Sequence, residues 1–147
     1  METPFNFSGI LTIKVFHPDG TIKSETIVPN LVVLTGRTFI ASRMANASST
    51  VMSHMAIGSG TTAASASDSA LQTEVARVAL NVAGGTPSSN NITYSASFGA
   101  GVGIATIAEA GIFNAASSGT LLARSVFTGI VKGSGDSMDI SWTISAN

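Results

Sequence analysis

The sequence predicts an all-β domain, an antiparallel β-sandwich or jelly-roll-like single domain with one or two short helices. Three observations support this fold class. Apolar and polar residues alternate with a period of two in several segments, which is the pattern of half-buried strands. Leu11, Ile13 and Val15 share one face in this way, as do Met138, Ile140, Trp142 and Ile144. Glycine, proline and asparagine interrupt these segments at short intervals. Long helical segments do not alternate with the strands, so a parallel α/β sheet is not indicated.

The first eight residues are predicted to form an N-terminal arm, and residues 9–147 a single β-rich domain. The arm contains Phe5 and Phe7, which precede the first alternating strand, so the core of the domain need not include them. Fully burying a phenylalanine is worth about 1.5–3 kcal/mol. We therefore expect the arm to bury both rings against a neighbouring protein subunit.

Along the domain, residues 9–28 are predicted to form a hairpin, with a turn at His17–Gly20 that combines proline, aspartate and glycine. A helix is predicted over Thr35–Ala47, with Thr35 as its cap, and a helical turn over Asp68–Thr73, with Leu71 pointing inward. A loop is predicted at Gly84–Asn90. The remaining strand predictions are Val51–Ile57, Val75–Ala83, Ile92–Phe98, Ile104–Ala108 with Gly111–Phe113, Leu121–Val131 and Met138–Ile144.

The amino-acid composition limits the classes of function that are expected. Only 10% of the 147 residues are charged and the net charge is −1, whereas about 25% is usual for soluble domains. Without a run of lysine or arginine, nucleic-acid binding is not expected, and without a long apolar segment neither is a membrane span. Little free energy is needed to desolvate a surface of short hydroxyl and methyl groups. Such a surface favours contact with copies of the chain or with a lattice. The alternative is an extracellular domain that uses serine and threonine for solubility.

The chain has few residues that are suited to catalysis or metal binding. The chain has two histidines and no cysteine, so thiol catalysis and cysteine-based zinc sites are excluded. His17 lies in the predicted turn and His54 on a predicted strand next to Ser53, and the sequence has no G-x-S-x-G elbow or metal-binding histidine spacing. Residues 135–139 offer oxygen ligands, but a turn before the last strand explains them better. We expect no catalytic residue, no metal and no cofactor.

Four charged residues stand among small or apolar neighbours: Glu74, Arg77, Glu109 and Arg124. In so uncharged a chain, such residues are expected to form ion pairs that fix local geometry or a subunit interface. Together with Phe5 and Phe7, they are the candidate interface residues that the sequence provides.

Four ordered segments within residues 35–144 resemble small virion proteins of tailed bacteriophages. A helix at 36–47 precedes an Ile-Gly-x-Gly-Thr segment at 57–61 and an Asp…Leu…Glu-Val-x-Arg segment at 68–77. A Glu-Ala-Gly-Ile-Phe segment at 109–113 and a terminal Trp-Thr-Ile strand at 142–144 complete the set. The four matched charged residues have no chemistry assigned to them in this class.

The resemblance implies a component of the phage particle. The single compact domain favours a capsid decoration (cement) protein, which binds the outside of the head shell and stabilises contacts between major capsid protein subunits. Such proteins commonly act as trimers on the virion surface, after synthesis in the host cytoplasm. A tail-fibre or baseplate module is the alternative, and a carbohydrate-binding module is a weaker one.

Overall fold

The computed structural model describes residues 6–45 and 50–147. Phe5 and the predicted end of the helix beyond residue 45 lie outside the described residues. The described elements are β1 (Phe7–Phe16), β2 (Ile22–Pro29), β3 (Leu31–Val32), α1 (Leu34–Met44), β4 (His54–Gly58), β5 (Glu74–Ala79), β6 (Thr86–Ser88), β7 (Asn91–Phe98), β8 (Ala105–Phe113), β9 (Leu121–Lys132) and β10 (Ser137–Ala146).

The strands form two five-stranded antiparallel sheets, which confirms the predicted all-β sandwich with a short helix. Sheet A has the order β2-β1-β10-β7-β6, and sheet B has the order β3-β9-β8-β4-β5. The first and last long strands pair along their whole length, from Phe7 opposite Ala146 to Phe16 opposite Ser137. The centre of sheet A therefore joins distant parts of the chain.

The main core lies between the two sheets. Alternate residues of β1, Leu11, Ile13 and Val15, are fully buried, because every second side chain of a strand points to the same face. On the neighbouring strand, Trp142 is also fully buried. The period-two pattern in the sequence thus predicted the inner face of sheet A correctly.

Helix α1 packs against β9 at the edge of the sandwich. It begins at Leu34, and the Thr35 hydroxyl donates to the Leu121 carbonyl at 2.8 Å. The prediction that Thr35 caps the helix is therefore wrong, because its hydroxyl anchors the helix to the sheet. A Cβ at Gly36 would overlap the Leu122 carbonyl, so glycine permits the close approach of helix and strand. In residues 6–45 and 50–147, no helix is long and apolar enough to cross a membrane.

The described part of the predicted arm belongs to the domain. Strand β1 begins at Phe7, and Phe7 and Ser8 pair with Ala146 and Ser145. The Phe7 ring is half-buried against the main core. Its predicted exclusion from the core is wrong, because the strand extends two residues further than its alternating pattern indicated and Phe7 shares the inward face of Leu11.

Other differences concern short elements. Residues 68–73 form bends rather than the predicted helical turn, because the Asp68 carboxylate is engaged by other parts of the chain. Strand β6 lies within the predicted loop at 84–90 and pairs with β7 over three residues. Strand β8 is continuous through the predicted break between Ala108 and Gly111, since both of its sides are covered by the fold.

Candidate functional site

Residues 59–73, here called the covering loop, cover part of the outer face of sheet B, whereas Thr106 and Val131 on the same face are exposed. On β4, Ala56 points away from its neighbours Met55 and Ile57, which belong to the main core. Leu71 of the covering loop packs on this outer side in a second apolar cluster with Val33, Ala56, Phe113 and Leu121. Leu71 is therefore buried, as predicted, although not within a helical turn.

The Glu109 carboxylate ties the covering loop to β8. It is fully buried and accepts three backbone N–H groups, from Gly60 at 2.8 Å, Gln72 at 2.8 Å and Thr73 at 2.7 Å. A buried carboxylate is tolerated when its oxygens are hydrogen-bonded and its charge is compensated. Here both ends of the loop are bound by one side chain.

Arg124 supplies the compensating charge from β9. Its side chain is 2% exposed, and its Nε donates to Glu109 Oε1 at 3.0 Å. Its Nη1 donates to Asp68 Oδ2 at 2.9 Å, and the same oxygen accepts the backbone N–H of Ser65 at 2.8 Å. One arginine therefore joins a sheet carboxylate to a loop carboxylate, so the middle of the covering loop is held as well.

Arg77 forms a separate cluster at the edge strand β5. It makes two hydrogen bonds to the Glu74 carboxylate, at 3.0 and 2.7 Å. It also donates to the carbonyls of Ala115 and Ser118, and its guanidinium lies 3.7 Å from the centroid of the Phe113 ring. The arginine thereby fastens the β8–β9 turn to the edge of sheet B.

The structure therefore brings together Glu109 with Arg124 and Glu74 with Arg77, and places the two pairs on the same side of sheet B. The segments that carry the resemblance meet here too, because Gly60, Asp68, Arg77 and Glu109 all belong to these contacts. These contacts hold the covering loop and the β8–β9 turn in place.

Sequence reasoning missed a second buried cation at one end of the sandwich. Lys132 is 1% exposed, and its ammonium donates to the carbonyls of Gly99 and Asp136 at 2.9 and 2.7 Å. Burial lowers the pKa of Lys132. The sequence did not indicate that Lys132 is buried. It lies at the end of an alternating strand, and the loop that covers it comes from residues 99–103, far away in sequence.

The Asp136 carboxylate completes this end of the molecule. Its Oδ2 accepts from the Lys23 ammonium at 2.6 Å and from the backbone N–H of Gly133 at 2.8 Å. These hydrogen bonds, the one from Lys23 above all, hold the pKa of Asp136 below its ordinary value. Residues 135–139, considered above as possible oxygen ligands, thus contain a carboxylate that is already engaged by a lysine.

The two histidines are placed differently. Ser53 Oγ and His54 Nδ1 lie 2.8 Å apart at the start of β4, and both residues are half-buried. In the part of the chain that the structure describes, no hydrogen bond or ion pair joins a carboxylate to His54, and no group of three or more potential metal ligands occurs. His17 is exposed in the β1–β2 turn.

The outer face of sheet A lies on the opposite side of the sandwich from the covering loop. Strand pairing sets its side chains in rows across β1, β10 and β7, such as Lys14–Asp139–Ser97 and Thr12–Ser141–Ser95. These side chains are exposed or half-buried. We call this surface the open face, and its members include Ile10, Thr12, Lys14, Glu25, Ile27, Thr93, Ser95, Ser97, Asp139, Ser141 and Thr143.

The open face is polar at its centre and apolar at one corner. Lys14 and Asp139 stand opposite one another, and the Thr93 and Thr143 hydroxyls lie 3.1 Å apart on neighbouring strands. Near the β1–β2 edge, Ile10 and Ile27 are 51% and 59% exposed. Short hydroxyl side chains beside exposed isoleucines are suited to protein contact, because little polar solvation is lost on burial.

An apolar groove lies at another part of the surface, between helix α1 and the inner side of sheet A. It encloses about 580 Å³. Its wall includes Phe7, Phe39, Ile40, Ile92 and Tyr94. Burial raises the pKa of Tyr94 to about 12, so its hydroxyl stays protonated above pH 10.

Comparison with known proteins adds no relative: no protein-family model, no curated protein and no solved structure matches this chain.

Proposed function

We propose that this chain is a structural subunit of a tailed-phage particle, a capsid decoration (cement) protein that binds the outside of the head shell and ties neighbouring major capsid protein subunits together. The observation that carries the proposal is the contrast between the two outer faces. The covering loop buries the outer side of sheet B around Ala56 and Glu109, whereas sheet A presents rows of hydroxyl and charged side chains beside exposed isoleucines. Such a surface binds through many weak contacts, whose effect is multiplied by valency.

The role proposed is structural rather than enzymatic. The buried charged groups are occupied in holding loops: Glu109 binds three backbone N–H groups and Lys132 binds two carbonyls. A subunit under load from a pressurised shell benefits from loops that are fixed by buried ion pairs, because local opening then requires breaking several charged contacts at once.

We propose that the subunit acts as a trimer, as the resemblance implies. The arrangement is tested by solution scattering at micromolar concentration, where a trimer has three times the 14.8 kDa mass of the chain. If scattering shows a compact monomer, the chain does not assemble in solution. A trimer could then form only on the capsid shell.

The docking surface is tested by placing charge on the open face. Ser141→Lys introduces a lysine at its centre and should weaken binding to purified shells at least tenfold. Ser117→Lys, in the exposed β8–β9 turn, is the matched control and should bind as the unchanged protein does. Equal binding by both variants would exclude the open face as the docking surface.

Location on the particle decides between decoration and the second candidate. A tail-fibre or baseplate module would use the same open face against other tail proteins. Electron microscopy of particles of the phage that encodes the chain, with the protein carrying a dense label, should show label on the head shell. Label on the tail alone would replace the decoration proposal with the tail one.

The carbohydrate-binding alternative has less support. Sugar recognition usually stacks a sugar ring on an exposed aromatic side chain. Among the described residues, Trp142, Tyr94, Phe98, Phe113 and Phe127 are all less than 9% exposed. Phe7, Phe16 and Phe39 are half-buried, so no described aromatic side chain is fully exposed.

A further inference from the structure

A recess lies at the centre of the open face. It is lined by the paired rows Lys14–Asp139–Ser97 and Thr12–Ser141–Ser95, which cross β1, β10 and β7. Asn81, which follows β5, borders the recess beside Ser95. The recess encloses about 420 Å³, so it is large enough to admit a side chain from another protein.

Asp139 contributes an unpaired carboxylate to the recess. It is exposed, and within residues 6–45 and 50–147 it makes no hydrogen bond or ion pair. Glu25, in the same row on the far side of Lys14, is unpaired as well. The other described side-chain carboxylates accept hydrogen bonds from within the chain, and they belong to Asp19, Asp68, Glu74, Glu109 and Asp136. Asp139 is therefore a charged acceptor that the fold itself does not use.

The groups around Asp139 supply further acceptors. Asn81 Nδ2 donates to Ser95 Oγ at 3.1 Å, which leaves Asn81 Oδ1 for another donor. The Ser97 and Ser141 hydroxyls form no hydrogen bond within the described part of the chain, and a hydroxyl oxygen has two lone pairs. Lys14 provides the one ammonium that lines the recess. The recess therefore presents a carboxylate, an amide oxygen and several hydroxyl oxygens to an entering group.

We propose that the recess binds an arginine side chain of the capsid partner. This inference rests on the proposed function, in which the open face docks on the shell. A guanidinium is planar and has five N–H donors and no acceptor, so it can pair with the Asp139 carboxylate and direct its other donors to the Asn81 and hydroxyl oxygens. A partner carboxylate would pair only with Lys14, and the like charge of Asp139 would repel it. Arginine is therefore the side chain that best complements the recess.

Two substitutions in the recess identify the charge of the bound group. Asp139→Asn keeps the shape of the side chain and removes its charge, so it should weaken binding to purified shells about tenfold, the effect of losing a hydrogen bond to a charged group. Lys14→Gln removes the like charge beside the guanidinium and should strengthen binding or leave it unchanged. No loss for Asp139→Asn, or a loss for Lys14→Gln that is as large, would overturn the proposal.

Glu25→Gln is the matched control for Asp139→Asn. It removes the same charge from the same row of the open face, but Glu25 does not line the recess. Binding to shells should therefore change by no more than about twofold, as expected for an exposed charge. Equal losses for the two substitutions would show that the shell responds to the overall charge of the row, which would contradict a specific arginine site.

A titration with a capped arginine tests the recess without the shell. N-acetylarginine methylamide, added at millimolar concentration to the isotope-labelled protein, should shift the amide resonances of Asn81, Ser97 and Asp139. Capped citrulline, which has a similar shape and no charge, is the control and should not shift them, and Asp139→Asn should abolish the response to arginine. Equal shifts from the two probes, or none from arginine, would overturn the proposal.

The two measurements separate this inference from the proposed function. If Ser141→Lys weakens shell binding and Asp139→Asn does not, docking through the open face stands and the arginine site is wrong. If purified shells do not bind the unchanged protein at all, the decoration proposal is wrong, and the titration with capped arginine then decides whether the recess binds a guanidinium.

Discussion

Gly60 and Glu109 meet across the gap between the covering loop and β8. The Gly60 N–H donates to Glu109 Oε2 at 2.8 Å, and a Cβ on residue 60 would overlap that same oxygen and the Gln72 side chain. The absence of a side chain at position 60 is therefore what allows the loop backbone to approach the carboxylate. This contact links the Ile-Gly-x-Gly-Thr segment physically to the Glu-Ala-Gly-Ile-Phe segment.

Gly60→Ala is expected to destabilise the fold by about 1–3 kcal/mol, because the added methyl group displaces a buried acceptor from its donors. Chemical denaturation measures the change. Gly99→Ala is the control, since a Cβ there would meet no atom within 4 Å, and it should change the unfolding free energy by less than about 0.5 kcal/mol. Equal effects of the two substitutions would show that the close approach at Gly60 is not required.

Glu109→Leu is expected to cost about 3–5 kcal/mol of unfolding free energy, because it leaves the Arg124 charge with one remaining carboxylate in a buried site. Glu74→Gln is the comparison, since the Glu74 side chain is 35% exposed and exposed ion pairs contribute about 1 kcal/mol or less. Both are measured by urea unfolding. A loss at Glu109 no larger than that at Glu74 would contradict the anchoring role of the carboxylate.

The pairing of Glu109 with Arg124 is tested by a double-mutant cycle. Because each single substitution removes the partner of a buried charge, Glu109→Leu with Arg124→Met should cost less than the sum of the two separate changes. Strict additivity in the unfolding free energies would mean that the two side chains act independently.

Acidification should weaken the contact at Asp136. Its folded pKa is depressed below an ordinary value of 3.8 by hydrogen bonds, chiefly from Lys23. The stabilisation is therefore complete above that value and is lost as the pH falls through the folded pKa. The unfolding free energies of the unchanged protein and of Asp136→Asn should differ at pH 6 and approach one another as the pH falls below 3.8.

Lys23→Met provides the control for this pH dependence. Removing the ammonium removes the largest cause of the depressed pKa, so in that background Asp136→Asn should show a smaller change with pH. If the change with pH is not smaller in the Lys23→Met background, the pH dependence comes from other groups at this end of the sandwich.

Removal of residues 1–8 should destabilise the domain, since it deletes the Phe7 and Ser8 pairs with β10 and exposes part of the core. Phe7→Ala alone should lower the unfolding free energy by up to about 1.5–3 kcal/mol. Removal of residues 1–4, which leaves both phenylalanines, is the control and should leave the melting temperature unchanged. An unchanged melting temperature after removal of all eight residues would instead define them as a separate arm.

The sequence was informative wherever one strand alternates between a buried and an accessible side. Leu11, Ile13 and Val15 were assigned correctly to the inner face because their spacing alone determines which side they share. The same reasoning failed for short elements. Strands such as β6 contain too few residues for a period to be visible, and they exist because a neighbouring strand offers backbone partners.

The sequence by itself therefore determined the fold class and the inner faces of the long strands, and it indicated four of the charged residues that form ion pairs, Glu74, Arg77, Glu109 and Arg124. Tertiary structure decided how those residues combine. Arg124 pairs with Glu109 across adjacent strands and with Asp68 in a distant loop, and strand periodicity carries no information about a partner 56 residues away. It also decided which part of an outer face is buried, because strand alternation does not reveal that the covering loop crosses the outer side of sheet B at Ala56 and Glu109.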